Sequence, residues 1–456
     1  MTHSDSPLIS VYITNHNYDA YIRQAIESVL NQTIQDFELI IIDDGSTDNS
    51  RQIIEEYKSS EKVFIIYQKN KGLNITNNIA LRASSGKYIM RLDADDYLEH
   101  DALEVLSQEL ESDDSLGLVF PNYYYINAQN SVIGEEIRHD FENDVTLLDQ
   151  AAHGACTMIR TQFLKDVGGY NESYNCQDGY ELWVKFITHF KVKNVKRHLF
   201  YYRQHGKNLT TNEQRILDTR ASINKDFINQ ANKKVDSVAI IPVRGGHRSI
   251  AFEPLGKSRI LDIKIEEAIK AENIKQIVVT SSNDSIQEYI DQNYGGHNKV
   301  SFYKRPKELA RYNEDLRQTA IGVCDHLSVK NDVKALIVLS IEFPFIKSHQ
   351  MDDAINTMFL FDSDSLVSVR VENSLFYQHK GSGMEPILRQ DQFTKLEREA
   401  LYRQTGGMIV SKIETLRKME RLIGGKVGHI VLDQKSAMGL NSAIDLELAN
   451  YLFDQK

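Results

Sequence analysis

The sequence predicts an α/β protein built from two doubly wound, mostly parallel sheets, and three observations carry that prediction. Short runs rich in Ile, Val and Leu alternate with amphipathic segments along the chain, as buried strands alternate with crossover helices. Acidic or glycine-bearing turns follow several of those runs, at the strand ends where open α/β sheets bind ligands. The chain has 456 residues, more than a single core usually takes, so two domains are expected.

The first strand runs from Leu8 to Ile13 and ends in Thr14-Asn15-His16-Asn17. Ile22, Ile26 and Leu30, flanked by Tyr21, Ala25 and Val29, form the apolar face of the next helix. Phe37 to Ile42 is the second strand, ending in Asp43-Asp44-Gly45-Ser46-Thr47-Asp48. Gly45 permits a sharp turn, and Ser46, Thr47 or Asp48 can cap a helix beginning near Asn49. A carboxylate at such a strand end accepts hydrogen bonds from ribose hydroxyls or a base N–H.

Tyr88 to Leu92 is a further strand, and Asp93-Ala94-Asp95-Asp96 follows it. In extended geometry Asp93 and Asp95 share a side. Carboxylates that close repel by about 1 kcal/mol at 4 Å in water, and by more at lower dielectric. A divalent cation turns that cost into a site and completes its shell with substrate phosphates. An isolated D-x-D is more often a solvated acidic turn, but this one is accompanied by the Asp43-Asp44 turn.

A polar stretch, Asn229-Gln230-Ala231-Asn232-Lys233-Lys234, marks a boundary, and a fresh strand, Val238 to Ile241, follows it. The expected organisation is a first domain over 7–228, a linker over 229–236 and a second domain over 237–456. Helices are expected at Asp262–Ala271, Asp284–Asp291, Asp315–Leu327 and Ser348–Phe361. Strands are expected at Ile277–Thr280, Val300–Tyr303, Ala335–Leu339 and Leu366–Val369, again the alternation of a doubly wound sheet.

Composition narrows the function. A net charge of −11 argues against a general nucleic-acid binder. Cys156, Cys176 and Cys324 form neither a metal spacing nor a paired set, which fits a reducing compartment. The stretch Met1 to Ser6 lacks the basic and apolar regions of a signal peptide, and the apolar run Ala335 to Ile346 contains Glu342 and is too short to span a bilayer. A cytoplasmic location is expected, with attachment at the inner face of the membrane left open.

From about residue 7 to 210 the chain resembles the family 2 glycosyltransferases, which carry the nucleotide-sugar-binding GT-A fold. The resemblance rests on Ser10 to Asn17, Ser28 to Thr33, Asp43 to Asp48, Asn70-Lys71-Gly72-Leu73, Asp93 to Asp96, Gly168-Gly169-Tyr170 and Gln177 to Trp183, in the family's order and spacing. It implies that Thr14, Asp43, Asp44 and Asp93 hold the nucleotide sugar. Asp95, with Asp96 beside it, is implied to bind a divalent metal, Mn2+ or Mg2+. Asp178 matches the catalytic base of inverting members, and His205, in a Y-R-x-H segment running on to Gly206, Lys207 and Asn208, could approach the metal or diphosphate. Asn77 stands where the family often has an arginine, so a diphosphate contact from that loop is not expected from this side chain. The segment from Asn122 to His153 is expected to border the acceptor site.

The chemistry explains these residue types. The departing nucleoside diphosphate gathers negative charge, which a metal stabilises, while a carboxylate on the opposite face takes the proton of the attacking hydroxyl.

Residues 237–454 resemble the acylneuraminate cytidylyltransferases through Ile240 to Gly246, Pro254 to Lys257, Arg305 to Leu309, Asp364 to Val369, Gln404 to Gly407 and Leu446 to Ala449. The departures fall where that family's chemistry lies. His247-Arg248-Ser249 and Phe252-Glu253 replace the small and basic residues of the triphosphate cradle. Ser340 to Pro344 replaces Q-x-T-S-P, and Gly439-Leu440-Asn441 lacks the carboxylates of a metal-binding D-x-D. The expectation is a nucleotidyltransferase-like domain that has lost nucleotidyl transfer, with Arg244 and Arg305 as candidates for an anionic ligand.

The favoured reading is an inverting, metal-dependent glycosyltransferase that moves a sugar from a nucleotide sugar to a hydroxyl of a glycan, lipid-linked or protein acceptor in surface polysaccharide or glycoconjugate synthesis. UDP is the commonest nucleotide in the resembling family. Two alternatives stand beside it: a bifunctional enzyme whose second domain makes a CMP-activated acidic sugar, and a non-catalytic carbohydrate-binding or scaffold protein. A homodimer through the carboxy-terminal half and peripheral membrane association complete the expectations for partners.

Overall fold

Continuous apolar runs become buried strands, and the segments between them fold back as helices. The computed structural model describes residues 6–137, 154–205, 213–232, 235–244, 249–310, 315–327, 333–372, 374, 376–379, 381, 383–386, 401–419 and 421–454. The chain divides into two units, Met1–Arg220 with Leu375–Glu399 and Ala221–Ser374 with Ala400–Lys456.

The first unit contains β1 (Ile9–Asn15), α1 (Ile22–Leu30), β2 (Phe37–Asp44), α2 (Ser50–Glu55), β3 (Val63–Gln68), α3 (Leu73–Ala83), β4 (Tyr88–Asp93), β5 (Tyr97–Leu98), α4 (Ala102–Ser112), β6 (Leu116–Ile126), β7 (Val132–Glu136), β8 (Met158–Arg160), α5 (Thr161–Asp166), α6 (Asp178–Ile187) and β9 (Lys191–Arg203). Its strands join in the order β3-β2-β1-β4-β8-β6-β9-β5, with β7 on β6. The four strands from β3 to β4 are parallel, while β8 runs against both β4 and β6, so the sheet is mixed. All eight residues of β2 are buried, as a central strand covered on both faces requires.

Alternate residues of β1 serve opposite faces. Ile9, Val11 and Ile13 join Ile22 and Ile26 of α1 in one core, and Tyr12 joins Leu81, Trp183 and Phe186 in the other. The register then sets the site: Thr14 lies opposite Asp93, and Asn15 opposite Asp43.

α7 (Glu213–Gln230) spans the point where the units divide. Beyond it come β10 (Asp236–Pro242), the small pair β11 (Pro254–Leu255) and β12 (Ser258–Arg259), α8 (Ile260–Lys270), β13 (Ile274–Ser281), α9 (Asp284–Tyr294), β14 (Val300–Lys304), α10 (Leu316–His326), β15 (Val333–Leu339), α11 (Ser348–Leu360) and β16 (Ser365–Glu372). The hairpin β17 (Tyr377–His379) and β18 (Met384–Pro386) follows, then β19 (Leu401–Lys412), α12 (Ile413–Lys418), β20 (Val427–Val431) and α13 (Ala443–Asp454). The second sheet has the order β14-β13-β10-β15-β19-β16-β20, with β19 antiparallel to both neighbours.

Each helix and strand expected between 262 and 369 is present, with strand bounds reaching further than the apolar residues that signal them. β13, for instance, runs from Ile274 rather than Ile277, because backbone pairing continues past the last buried side chain. Gly245, Gly246, His247 and Arg248 lie outside the described residues, as do Lys233 and Lys234 of the expected linker, residues 206–208 of the Y-R-x-H segment and 138–153 of the expected acceptor loop.

Lys264 of α8 is fully buried, and its Nζ donates to the Phe343 carbonyl at 2.6 Å. Burial pushes its amine down to about 7, against the pull of Glu267 and Glu342. The folded chain therefore binds fewer protons than the unfolded chain between about 7 and the ordinary 10.5, so stability rises with pH across that window and is lowest below it. Lys264→Met should be more stable than wild type at pH 6–7, with a difference that shrinks by up to about 1.4 kcal/mol per pH unit on going to pH 9. Urea denaturation at several pH values measures it.

Candidate active site

Asp43 and Asp44 end β2 but do different work. Asp43 accepts from Asn15 Nδ2 at 3.0 Å and has Arg51 Nε 3.5 Å from its Oδ2, an ion pair rather than a hydrogen bond. Asp44 accepts from Gln68 Nε2 at 2.8 Å, from the Lys71 amide at 2.8 Å and from the Gly72 amide at 2.9 Å. It thereby holds the Asn70-Lys71-Gly72 loop at the carboxyl end of β2. Gly45 makes the approach possible: its φ is +78°, and a Cβ there would meet the Asn70 nitrogen at 2.7 Å. Asp48 accepts from Ser50 N at 3.0 Å just before α2, whose N-cap position is Asn49 and carries no side-chain cap, so none of the three expected residues caps the helix.

Thr14 Oγ1 donates to Asp93 Oδ1 at 3.2 Å. Asp93 is the last residue of β4, and Asp95 lies in the turn beyond it, closed by Asp96 N donating to Asp93 O at 3.1 Å. The strand-alternation argument for Asp93 and Asp95 therefore does not apply, since a turn, not an extended chain, brings them together. Asp95 Oδ2 lies 2.9 Å from His205 Nε2. Burial first, and the Asp93 charge second, push the Asp95 carboxyl above its usual range, while the His205 hydrogen bond works the other way. Tyr18 and Tyr21 flank the His205 ring, with centroids at 5.7 and 5.8 Å.

Asp96 faces elsewhere. It is fully buried, accepts from the Arg203 backbone N–H at 2.8 Å, and is pushed well up by burial, then by Asp95 and Asp93. Arg203 in turn donates to the Asp95 carbonyl at 2.7 Å and lies over the Tyr21 ring at 4.5 Å. Asp95 and His205 thus converge, and Asp96 anchors β9. Among the described residues no three His, Cys, Asp or Glu side chains form a metal-holding group.

Asp178 opens α6 and is buried, preceded by Gln177 with a left-handed φ of +63°. Its Oδ2 accepts from Arg91 Nη1. Arg91 Nε is 3.0 Å from Asp93 Oδ1, so one guanidinium touches the expected donor-side acid and the expected base. Sequence reasoning missed Arg91. A cation inside the apolar run Tyr88-Ile89-Met90-Arg91-Leu92 was the available signal, since a charge in a buried strand requires partners. Asn77 is internal, accepting from the Tyr12 hydroxyl at 3.2 Å.

In the second unit, Arg305 is buried and its Nη2 donates to the Thr280 carbonyl at 2.9 Å. Burial, and then the charge of Arg244, pushes its guanidinium down to about 10. Arg244 itself is exposed. Neither lines the cavity of about 670 Å³ bounded by Phe343, Arg370, Arg403, Lys435 and Asn441.

Residues 10–168 match the profile of Glycosyl transferase family 2. The first unit carries a family 2 glycosyltransferase domain. A chondroitin synthase of Escherichia coli is 34% identical over 203 residues, 44% of this chain and 30% of its own length. A hyaluronan synthase of Pasteurella multocida is 33% identical over 205 residues, 44% of this chain and 21% of its own. The chain thus spans less than a third of either relative. The crystal structure of S. aureus TarS 1-349 aligns at 20% identity and a TM-score of 0.41, covering 50% of this chain and 68% of that one. No helix among the described residues is long and apolar enough to cross a membrane.

Within this glycosyltransferase domain, Asp44→Ala strips the Gln68, Lys71 and Gly72 donors of their acceptor. The variant should lose about 2 kcal/mol of stability. Hydrogen exchange at the Lys71 and Gly72 amides should quicken while the β1 amides stay protected.

Proposed function

We propose that the chain is an inverting, divalent-metal-dependent glycosyltransferase that moves a sugar from a nucleotide sugar, UDP-linked, to a hydroxyl of a glycan, lipid-linked or protein acceptor in surface polysaccharide or glycoconjugate synthesis. The observation that carries this reading is the span of Arg91. Its guanidinium touches both Asp93 and Asp178, so a donor-side acid and a candidate base lie on either side of one reaction space. The printed names of the chondroitin and hyaluronan synthases favour a polysaccharide acceptor.

The residues present fit a metal. The Asp95 carboxylate, raised by burial and a like charge, and the His205 imidazole 2.9 Å away make an oxygen–nitrogen donor pair. Two protein donors suffice when substrate phosphates fill the remaining positions, and the nitrogen favours Mn2+ over Mg2+. When bound, the metal neutralises the charge that collects on the departing diphosphate. Asp44 keeps the 70–72 loop shaped for the nucleotide, with Thr14, Asp43 and Asp93 lining the same strand ends. Asp178 removes the proton from the acceptor hydroxyl as the new glycosidic bond forms and the bond to the diphosphate breaks.

For the second unit we read a nucleotidyltransferase-like domain without transfer activity. Gly439 has no side chain, Asn441 carries a neutral amide and has its backbone N–H bonded to Asp445 at 2.9 Å, and Glu342 accepts from Ser340 beside it. Arg244 and Arg305 stay as candidates for an anionic ligand. A homodimer through this unit, a cytoplasmic location and peripheral membrane contact belong to the same proposal.

The test is a panel of UDP-sugars with Mn2+, using chondroitin and hyaluronan oligosaccharides as acceptors. Donor binding should raise the melting temperature by mass action. EDTA should abolish transfer, and Asp95→Ala or His205→Ala should raise the Mn2+ concentration needed for half-maximal rate about tenfold or more. Asp178→Asn should keep donor binding and lose about 10²–10⁴-fold in kcat. Full transfer by Asp178→Asn would sink the assignment of the base, and no donor-induced shift in any arm would sink the reading as a whole.

A further inference from the structure

We propose that Arg91 is a positioning residue: its guanidinium aims the Asp178 carboxylate at the acceptor hydroxyl and ties it to Asp93 on the donor side. The inference rests on the proposed function above. Arg91 is 5% exposed, in the middle of β4 between buried Met90 and Leu92, and opposite Tyr12 of β1. A guanidinium so buried costs several kcal/mol unless its charge is answered. The answer here is a pair of carboxylates from two elements, Asp93 through Nε and, at 3.5 Å, Nη2, and Asp178 through Nη1.

The other buried arginines of the unit behave differently. Arg160 gives its donors to the carbonyls of Leu116 and Leu110, and Arg203 donates to the carbonyls of Asp95 and Asn127 and to Gln24. Those contacts go mainly to backbone carbonyls, and the carboxylate paired with Arg160, Asp114 at 3.5 Å, is exposed. Arg91 instead joins two acids of the site, and a planar fork holds carboxylate direction as a flexible ammonium does not.

The surroundings are shaped for this arrangement. A Cβ at Gly154 would stand 2.5 Å from Arg91 Nη2, 3.0 Å from Cζ and 3.1 Å from Asp178 Oδ2, so glycine leaves the space that the pair fills. Tyr12 and Tyr170, whose hydroxyls are 3.5 Å apart, are the titratable neighbours of the pair, with Glu181 beyond them. Burial works against the Arg91 charge, but Asp178 and then Asp93 outweigh it and hold the guanidinium protonated. The carboxylate therefore keeps its charged partner, and its direction depends on Arg91.

Arg91→Met, Arg91→Lys, Gly154→Ala and Asp178→Asn in the full chain test this, with UDP and Mn2+ as the binding probe and the UDP-sugar and oligosaccharide pair that wild type turns over as the rate probe. A misplacement of about 1 Å costs about 10²-fold in rate, so Arg91→Met should lose about 100-fold in kcat with a much smaller change in KM for the acceptor. Arg91→Lys should recover part of the rate. Gly154→Ala, which keeps every charge, should lower kcat about tenfold at unchanged melting temperature. If Arg91→Met does not fold, the lysine and Gly154→Ala variants carry the test. Unchanged kcat in folded Arg91 and Gly154 variants, beside an inactive Asp178→Asn, would overturn the inference alone. A wild type that turns over none of the panel, or an Asp178→Asn that transfers normally, would overturn the functional reading and the inference with it.

Discussion

Asp43, Asp44, Asp93, Asp95, Asp96 and Asp178 gather around the carboxyl ends of β2 and β4, and all but Asp93 are buried. Like charges held that close in a medium less polar than water repel strongly, so the first unit can fold only where each acid meets a donor or a cation. Backbone amides answer Asp44 and Asp96, Asn15 and Arg51 answer Asp43, His205 answers Asp95, and Arg91 answers Asp93 and Asp178 together. The requirement is electrostatic before it is catalytic.

That requirement divides the acids into two kinds. Asp44 uses both oxygens to shape a loop, while Asp96 gives Oδ1 to the Arg203 amide of β9 and its buried Oδ2 has no hydrogen-bond partner among the described residues. Asp93 and Asp95 keep part of their capacity for other partners: Asp93 is the more exposed of the group, with its side chain 25% accessible, and Asp95 Oδ2 meets an imidazole, a group that also binds metals. Chemistry is available where compensation is incomplete.

Much of this was legible in the residues. The apolar runs gave β1, β2 and β4, and the acidic turns after them gave Asp43, Asp44, Asp93 and Asp95, because strand ends and charge are local signals. The reversed strands β8 and β19 were not legible, since pairing direction depends on where a distant segment returns. Arg91 escaped for the same reason: its partner Asp178 is 87 positions away, and nothing local marks an arginine as the bridge between two acids. Asp96, expected beside Asp95, gives one oxygen to the Arg203 amide, for a turn can send neighbouring carboxylates to different partners.

Buried cations in the two units make the contrast plain. Arg91, facing two carboxylates, is held charged well above its ordinary value, whereas Arg305, facing a carbonyl and the charge of Arg244, is pushed down to about 10. Lys264, whose Nζ donates to a carbonyl, falls to about 7. Carbonyl dipoles satisfy a donor without supplying a full negative charge, so burial wins in the second unit and Coulomb attraction wins in the first. The same residue type thus carries opposite meanings: in the first unit a buried arginine completes an acidic site, and in the second it is an uncompensated charge whose cost the fold bears.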